Sequence, residues 1–168
     1  MKIYITGVSG TGKSTVANKL KEKGLEVISI DEEGLCAWFN KKDQSPVDGD
    51  QILNKEFVSI NDWVCNIPQL RNAIEGKENI VVVGIASNQN EYLKYFDKVI
   101  LLQCDPGIFI ERLNKREDND FGKDTKVQEW LKSWYKDFDD KLLSNNAIVI
   151  NANQTIEDVV ADVIEEIG

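Results

Sequence analysis

The sequence has no histidine, only three arginines (Arg71, Arg112 and Arg116) and only three cysteines. Without histidine no Ser-His or Cys-His nucleophile pair can form, and the commonest metal ligand is missing. Cys36, Cys65 and Cys104 lie far apart with no C-x-x-C spacing, which argues against a structural zinc site and for three reduced, semi-buried thiols. Positive charge is scarce: 20 Lys and Arg stand against 29 Asp and Glu, a formal net charge of −9. Such a surface repels polyanions, so no long nucleic-acid partner is expected. No apolar run approaches the roughly 20 residues of a membrane span. The chain begins directly with a strand-like run, Lys2-Ile3-Tyr4-Ile5-Thr6, without a signal-peptide layout. The expectation is a cytoplasmic protein with no membrane partner, a monomer or at most a weak dimer. Repeats, low-complexity tracts and long Pro/Gly/Ser linkers are also missing. The 168 residues, 42% hydrophobic, fit one domain spanning 1–168 with a core of its own.

What is present is an alternation of short β-branched runs with helix-like stretches, the pattern of parallel βαβ units. Strands are predicted at 2–6, 26–30, 79–85, 97–103 and 147–151. Ile80-Val81-Val82-Val83 and Val99-Ile100-Leu101-Leu102 are apolar throughout, as strands covered on both faces should be. A helix over 13–23 stops before Gly24, a natural C′ glycine. Asp105-Pro106 reads as an N-cap followed by proline at the first helical position. Val127, Trp130, Leu131, Trp134 and Phe138 share one helical face, and Thr155-Ile156-Glu157-Asp158 opens the last helix with a capping-box pattern. Trp130 and Trp134 are read as core residues first.

Between the first strand and the first helix lies Gly7-Val8-Ser9-Gly10-Thr11-Gly12-Lys13-Ser14, a match to G-x-x-x-x-G-K-[ST]. Average composition gives this pattern less than about a 1% chance in a chain of such length. Glycines let the backbone wrap round phosphates, and successive N–H groups of Gly7, Ser9, Gly10, Thr11 and Gly12 form an anion nest at a helix N-terminus. Lys13 is expected to place its charge on the β- and γ-phosphates, Ser14 to ligate Mg²⁺ and Thr15 to bond the α-phosphate. The cofactors expected are therefore ATP and Mg²⁺.

A P-loop after the first strand, Asp31 at the end of the second and the pair Arg112/Arg116 after the fourth together resemble the nucleoside-monophosphate-kinase and shikimate-kinase group of P-loop kinases. The resemblance implies a three-layer α/β/α fold with a five-stranded parallel sheet of order 2-3-1-4-5. It also implies an acceptor-binding region at about 32–78 and a short lid at about 114–126. In similar kinases the first lid arginine packs on the adenine and the second reaches the transferring phosphate, which assigns those roles to Arg112 and Arg116; Lys123 would add charge on closure. The resemblance also gives the turn after the fifth strand, with Asn153 and Gln154, to the adenine edge. Asp31 would hold Mg²⁺ through water or accept the proton of an attacking hydroxyl; a plain helix cap is the competing reading.

The chain departs from the group at two points. The third strand lacks the usual acidic residue, with Gly84 near its place, and Ser87, Asn88 and Gln89 would face the site as neutral hydrogen-bonding groups. Outside the lid only Arg71 could anchor an acceptor phosphate. Trp38 and Trp63 either pack or sandwich a ring. The function expected is ATP-dependent phosphoryl transfer to a small acceptor, a nucleoside monophosphate or nucleoside foremost. A shikimate- or gluconate-like acid kinase and an ATP-binding switch remain as alternatives.

Overall fold

The computed structural model describes residues 1–48, 54–117 and 120–168. Five parallel strands make the central sheet: β1 (Lys2–Thr6), β2 (Val27–Ser29), β6 (Ile80–Val83), β7 (Lys98–Gln103) and β8 (Ile148–Asn151), ordered β2-β6-β1-β7-β8. Counted among themselves these strands have the order 2-3-1-4-5, as the resemblance implies. The register places Ile3 beside Val81 on one side and Lys98 on the other.

Alternate residues of β1 feed two cores. Ile3 and Ile5 face a cluster with Val16 and Leu20 of α1 (Lys13–Glu22), Phe109 and Leu113 of α4 (Pro106–Lys115), Leu131 of α5 (Thr125–Ser144) and Val159 of α6 (Ile156–Ile167). Tyr4 faces the other side, with Ile28, Val82 and Tyr92, and with Leu70 and Ile74 of α3 (Ile67–Ile74). Each fully buried side chain of this kind contributes roughly 1.5–3 kcal/mol relative to exposure. Trp130, Trp134 and Phe138 pack half-buried against the first core, as their spacing predicts.

Helix ends follow the sequence signals with one exception. The Asp124 side chain accepts from Val127 N–H at 3.0 Å, and Thr155 Oγ1 from Asp158 N–H at 3.3 Å. Asp105 occupies the N-cap of α4 ahead of Pro106, but its side chain makes no cap hydrogen bond.

Residues 32–78 hold what the βαβ pattern did not announce. β3 (Cys36–Asn40), β4 (Pro46–Val47) and β5 (Asn61–Cys65) form a small antiparallel sheet of order β4-β3-β5, with α2 (Lys55–Ile60) between β4 and β5. Of the turn-rich stretch 45–50, Gly49 and Asp50 lie outside the described residues, as do Asp118 and Asn119 of the lid.

Candidate active site

Gly10 and Gly12 of the first loop hold positive φ in different surroundings. Gly10 has φ +91°, and a Cβ there would stand 2.4 Å from the Phe109 carbonyl of α4. Gly12 has φ +93° with nothing within 4 Å of a would-be Cβ, so its backbone turn is left-handed beside open space. It supplies the N-cap of α1 without a side chain, leaving the helix's first N–H groups to an outside acceptor. Thr11 Oγ1 donates to the Val8 carbonyl at 2.9 Å and tightens the turn.

Lys13 is buried beneath this loop, its ammonium donating to the Gly7 carbonyl at 2.7 Å and the Val8 carbonyl at 3.0 Å. Burial lowers its pKa to about 8, against the opposing pull of Asp31, while the Arg116 charge lowers it further. Asp31 follows β2 and is open to solvent on one side, yet enough protein surrounds it to push its carboxyl above the usual range. The Trp63 indole N–H, donating to Asp31 Oδ1 at 2.7 Å, and the charges of Lys13 and Arg116 oppose that rise. Lys13, Asp31 and Arg116 thus lie within each other's electrostatic reach at the carboxyl ends of the strands, where open α/β sheets bind ligands.

The acidic side chain missing from the third strand has a spatial counterpart. A Cβ on Gly84 would run into Ile30 Cγ1 at 2.2 Å and stand 3.5 Å from Asp31 Oδ2. Asp31, from the neighbouring strand, therefore puts a carboxylate oxygen beside the position a third-strand side chain would start from. Ser14 and Thr15 are exposed on the first turn of α1. A hydroxyl and a lone carboxylate are hard oxygen donors suited to a largely hydrated Mg²⁺. Among the described residues no three His, Cys, Asp or Glu gather as a closed metal site.

Arg112 points a guanidinium nitrogen at the Thr11 carbonyl, 3.5 Å away, which sets it against the loop. The turn after β8 is only half directed to the cleft. Asn153 Oδ1 accepts from Asp105 N–H at 2.8 Å, tying this turn to the one after β7, while the Gln154 amide donates to Asp162 on α6. Lys123 pairs with Asp120 at 2.9 Å within the lid loop.

Three groups expected to face the site serve the scaffold instead. The Asn88 amide accepts from Cys65 N–H at 2.9 Å and donates to the Cys65 carbonyl at 3.0 Å. Ser87 donates to the Trp63 carbonyl through both N–H and Oγ, each at 2.8 Å. Gln89 is buried and accepts from Thr6 Oγ1 at 3.1 Å. Sequence reasoning missed the Trp63–Asp31 bond because Trp63 lies 32 residues beyond Asp31 with no motif to link them. A further unforeseen group is Gln128, whose amide donates to Asn114 Oδ1 at 2.7 Å and the Gly122 carbonyl at 2.8 Å, fastening the base of the loop between α4 and α5.

A parallel sheet with a Gly-Lys-Ser phosphate loop at the mouth of its central strand, and a paired-arginine helix beside it, defines the class of P-loop kinases. The chain belongs to the family described as AAA domain, whose model matches residues 3–131. It is 29% identical to a putative adenylate kinase of Methanocaldococcus jannaschii over 69% of this chain and 59% of that protein, so it spans little more than half of that relative. It is 25% identical to a shikimate kinase of Bacillus cytotoxicus over 99% of this chain and 98% of that one. Among solved structures, deoxyadenosine kinase from M. mycoides with bound dATP superposes with a TM-score of 0.64 at 17% identity, covering 99% of this chain and 98% of that one. That likeness is one of fold. No described helix is long and apolar enough to cross a membrane.

Proposed function

We propose that the protein transfers the γ-phosphoryl group of Mg²⁺–ATP to the hydroxyl of a small acceptor held between the phosphate loop and the small antiparallel sheet. The observation that carries this reading is the convergence of Lys13, Asp31 and Arg116, two cations and one carboxylate, beside a loop of phosphate-binding geometry. Kinases acting on nucleotides, shikimate and dephospho-CoA among the relatives support it.

In this reading the N–H groups of residues 7–12 and the start of α1 hold the β- and γ-phosphates, and Lys13 and Arg116 stabilise charge on the group in transfer. Arg112 and the turn at Asn153 and Gln154 border the nucleoside end. Ser14 and, through water, Asp31 would hold Mg²⁺, which would supply neutralisation of the phosphate charge. Asp31, oriented by Trp63, serves either that hydrated metal or the proton of the attacking hydroxyl.

The acceptor region favours an uncharged acceptor, a nucleoside before a nucleoside monophosphate. Lys41 pairs with Asp62 at 3.7 Å, Lys55 lies over the Trp130 ring, Arg71 over Tyr95, and Lys77 pairs with Glu26. These cations are turned to other partners, whereas Trp38 and Trp63, with ring centroids 5.3 Å apart, offer an aromatic wall beside Asp31.

Consumption of Mg²⁺–ATP against panels of nucleosides, nucleoside monophosphates and hydroxy acids tests this, with Lys13→Ala as the blank. Strong stimulation by one class of acceptor is expected. ATP binding whose turnover no acceptor raises would overturn the kinase reading in favour of a switch.

A further inference from the structure

We propose that Cys36 and Cys65, separated by 28 residues in sequence, are a redox modification site: a dithiol that closes to a cross-strand disulfide in the wall of the small sheet. The two residues are register partners in the antiparallel β3–β5 pair. Hydrogen bonds identify the kind of pair. Asn66 N–H donates to the Leu35 carbonyl at 2.8 Å and Lys41 N–H to the Ile60 carbonyl at 2.9 Å, so the ladder bonds fall at residues flanking Cys36 and at every second position after it. Cys65 meanwhile gives both its N–H and its carbonyl to Asn88, on the far side of β5 from Cys36. Cys36 and Cys65 are therefore a non-hydrogen-bonded pair, the kind in which side chains approach most closely.

In such a pair the Cα atoms stand about 4.5 Å apart, inside the roughly 4.4–6.8 Å that a disulfide spans. Strand alternation puts Trp38 and Trp63 on the same face as the two cysteines, two register pairs further along. Both thiols are buried, Cys36 at 8% and Cys65 at 2% exposure, and each is free. The Cys36 thiol donates to the Cys65 sulfur, which holds Cys65 below the usual thiol range and pushes Cys36 above it. Either sulfur can open the exchange, since the two face each other across the ladder and lead to the same product. Cys104 follows β7 on the opposite core and has no thiol partner in either cluster except through unfolding.

The oxidant is a small-molecule disulfide, RSSR. One of the two thiolates attacks one sulfur of RSSR, forming a mixed disulfide and releasing RS⁻. The sulfur of the other cysteine then attacks the protein sulfur of that mixed disulfide, forming the internal Cys36–Cys65 bond and releasing the second RS⁻. Two protein thiols are oxidised, one RSSR is reduced to two RSH, and the two thiol protons pass to the leaving thiolates. Because the pair is buried, opening of the small sheet sets the rate, while the strand register sets the product.

The test is equilibration of the full chain in buffers of oxidised and reduced glutathione, followed by alkylation and peptide mapping. A loss of two hydrogens, a Cys36–Cys65 cross-linked peptide and one remaining thiol at Cys104 are expected, all reversed by dithiothreitol. Tryptophan fluorescence should fall on oxidation, since the disulfide forms beside Trp38 and Trp63. Cys104→Ser should keep both responses, and Cys36→Ser and Cys65→Ser should lose both. Three alkylatable thiols after equilibration, under conditions where the urea-unfolded chain does form disulfides, would overturn the proposal. Cross-links through Cys104, or mixed glutathione adducts that never resolve, would do the same. The mapping on wild-type protein decides even where a variant folds poorly.

Discussion

At the scale of single residues, Lys13 is the side chain under most constraint. Its folded pKa of about 8 lies below the ordinary 10.5 because burial penalises the ammonium. Between those two values the unfolded chain holds a proton that the folded chain has released, so stability should rise with pH across that window. The gain is on the order of 3 kcal/mol. Denaturant titrations at pH 7.5 and pH 10 should show it in the wild type and not in Lys13→Met; parallel curves would refute the buried cation. Phosphoryl transfer should be lost in Lys13→Met at either pH. Gly10 and Gly12 share a positive φ but not an environment. Gly10→Ala meets the Phe109 carbonyl and should cost about 2–3 kcal/mol. Gly12→Ala meets only backbone strain and should cost about 1–2 kcal/mol. Equal losses in urea would mean that contact with α4 does not fix Gly10.

At the scale of elements, the loop between α4 and α5 and the small sheet differ in how they are secured. The lid loop between α4 and α5 is held at its base by the Gln128 amide, which spans Asn114 and Gly122. Gln128→Ala should destabilise the protein by about 1–3 kcal/mol, since it leaves a buried carbonyl unpartnered. Amide exchange should quicken around Gly122 while the strands keep their protection; unchanged exchange there would show the clasp to be idle. The strands of the central sheet were legible because continuous β-branched runs such as 80–83 have no other use. The small sheet was not. Its strand β5 reads Asn-Asp-Trp-Val-Cys, with neither an apolar run nor clean alternation, and its edge is satisfied by side chains of a distant loop. In the site the same division holds: the phosphate loop is a contiguous motif, whereas the Trp63–Asp31 contact exists only after folding.

At the scale of the whole molecule, a ligand that binds only the folded state must raise the melting temperature. Mg²⁺–ATP at a hundred times its Kd should raise Tm by about 5–10 °C for a chain of this size. Differential scanning fluorimetry checks this, and Lys13→Ala should show little of the shift; a full shift in that variant would place nucleotide binding elsewhere. The net charge of −9 adds a second expectation. The protein should pass through a heparin or DNA column unretained at low salt, and retention would reveal a basic surface that the composition hides.

The central sheet is joined strand to strand by backbone ladders, which any side chains can follow. The small sheet is tied beside it at β5 by the side chains of Ser87 and Asn88 together with the Ser87 backbone N–H. These attachments differ in what mutation can do to them. Descendants of this gene can redraw the small sheet, lengthen its hairpin or exchange its aromatic face while the bonds from residues 87 and 88 keep it in place. The machinery that handles phosphate would be inherited untouched, and a lineage could change its diet without relearning its chemistry.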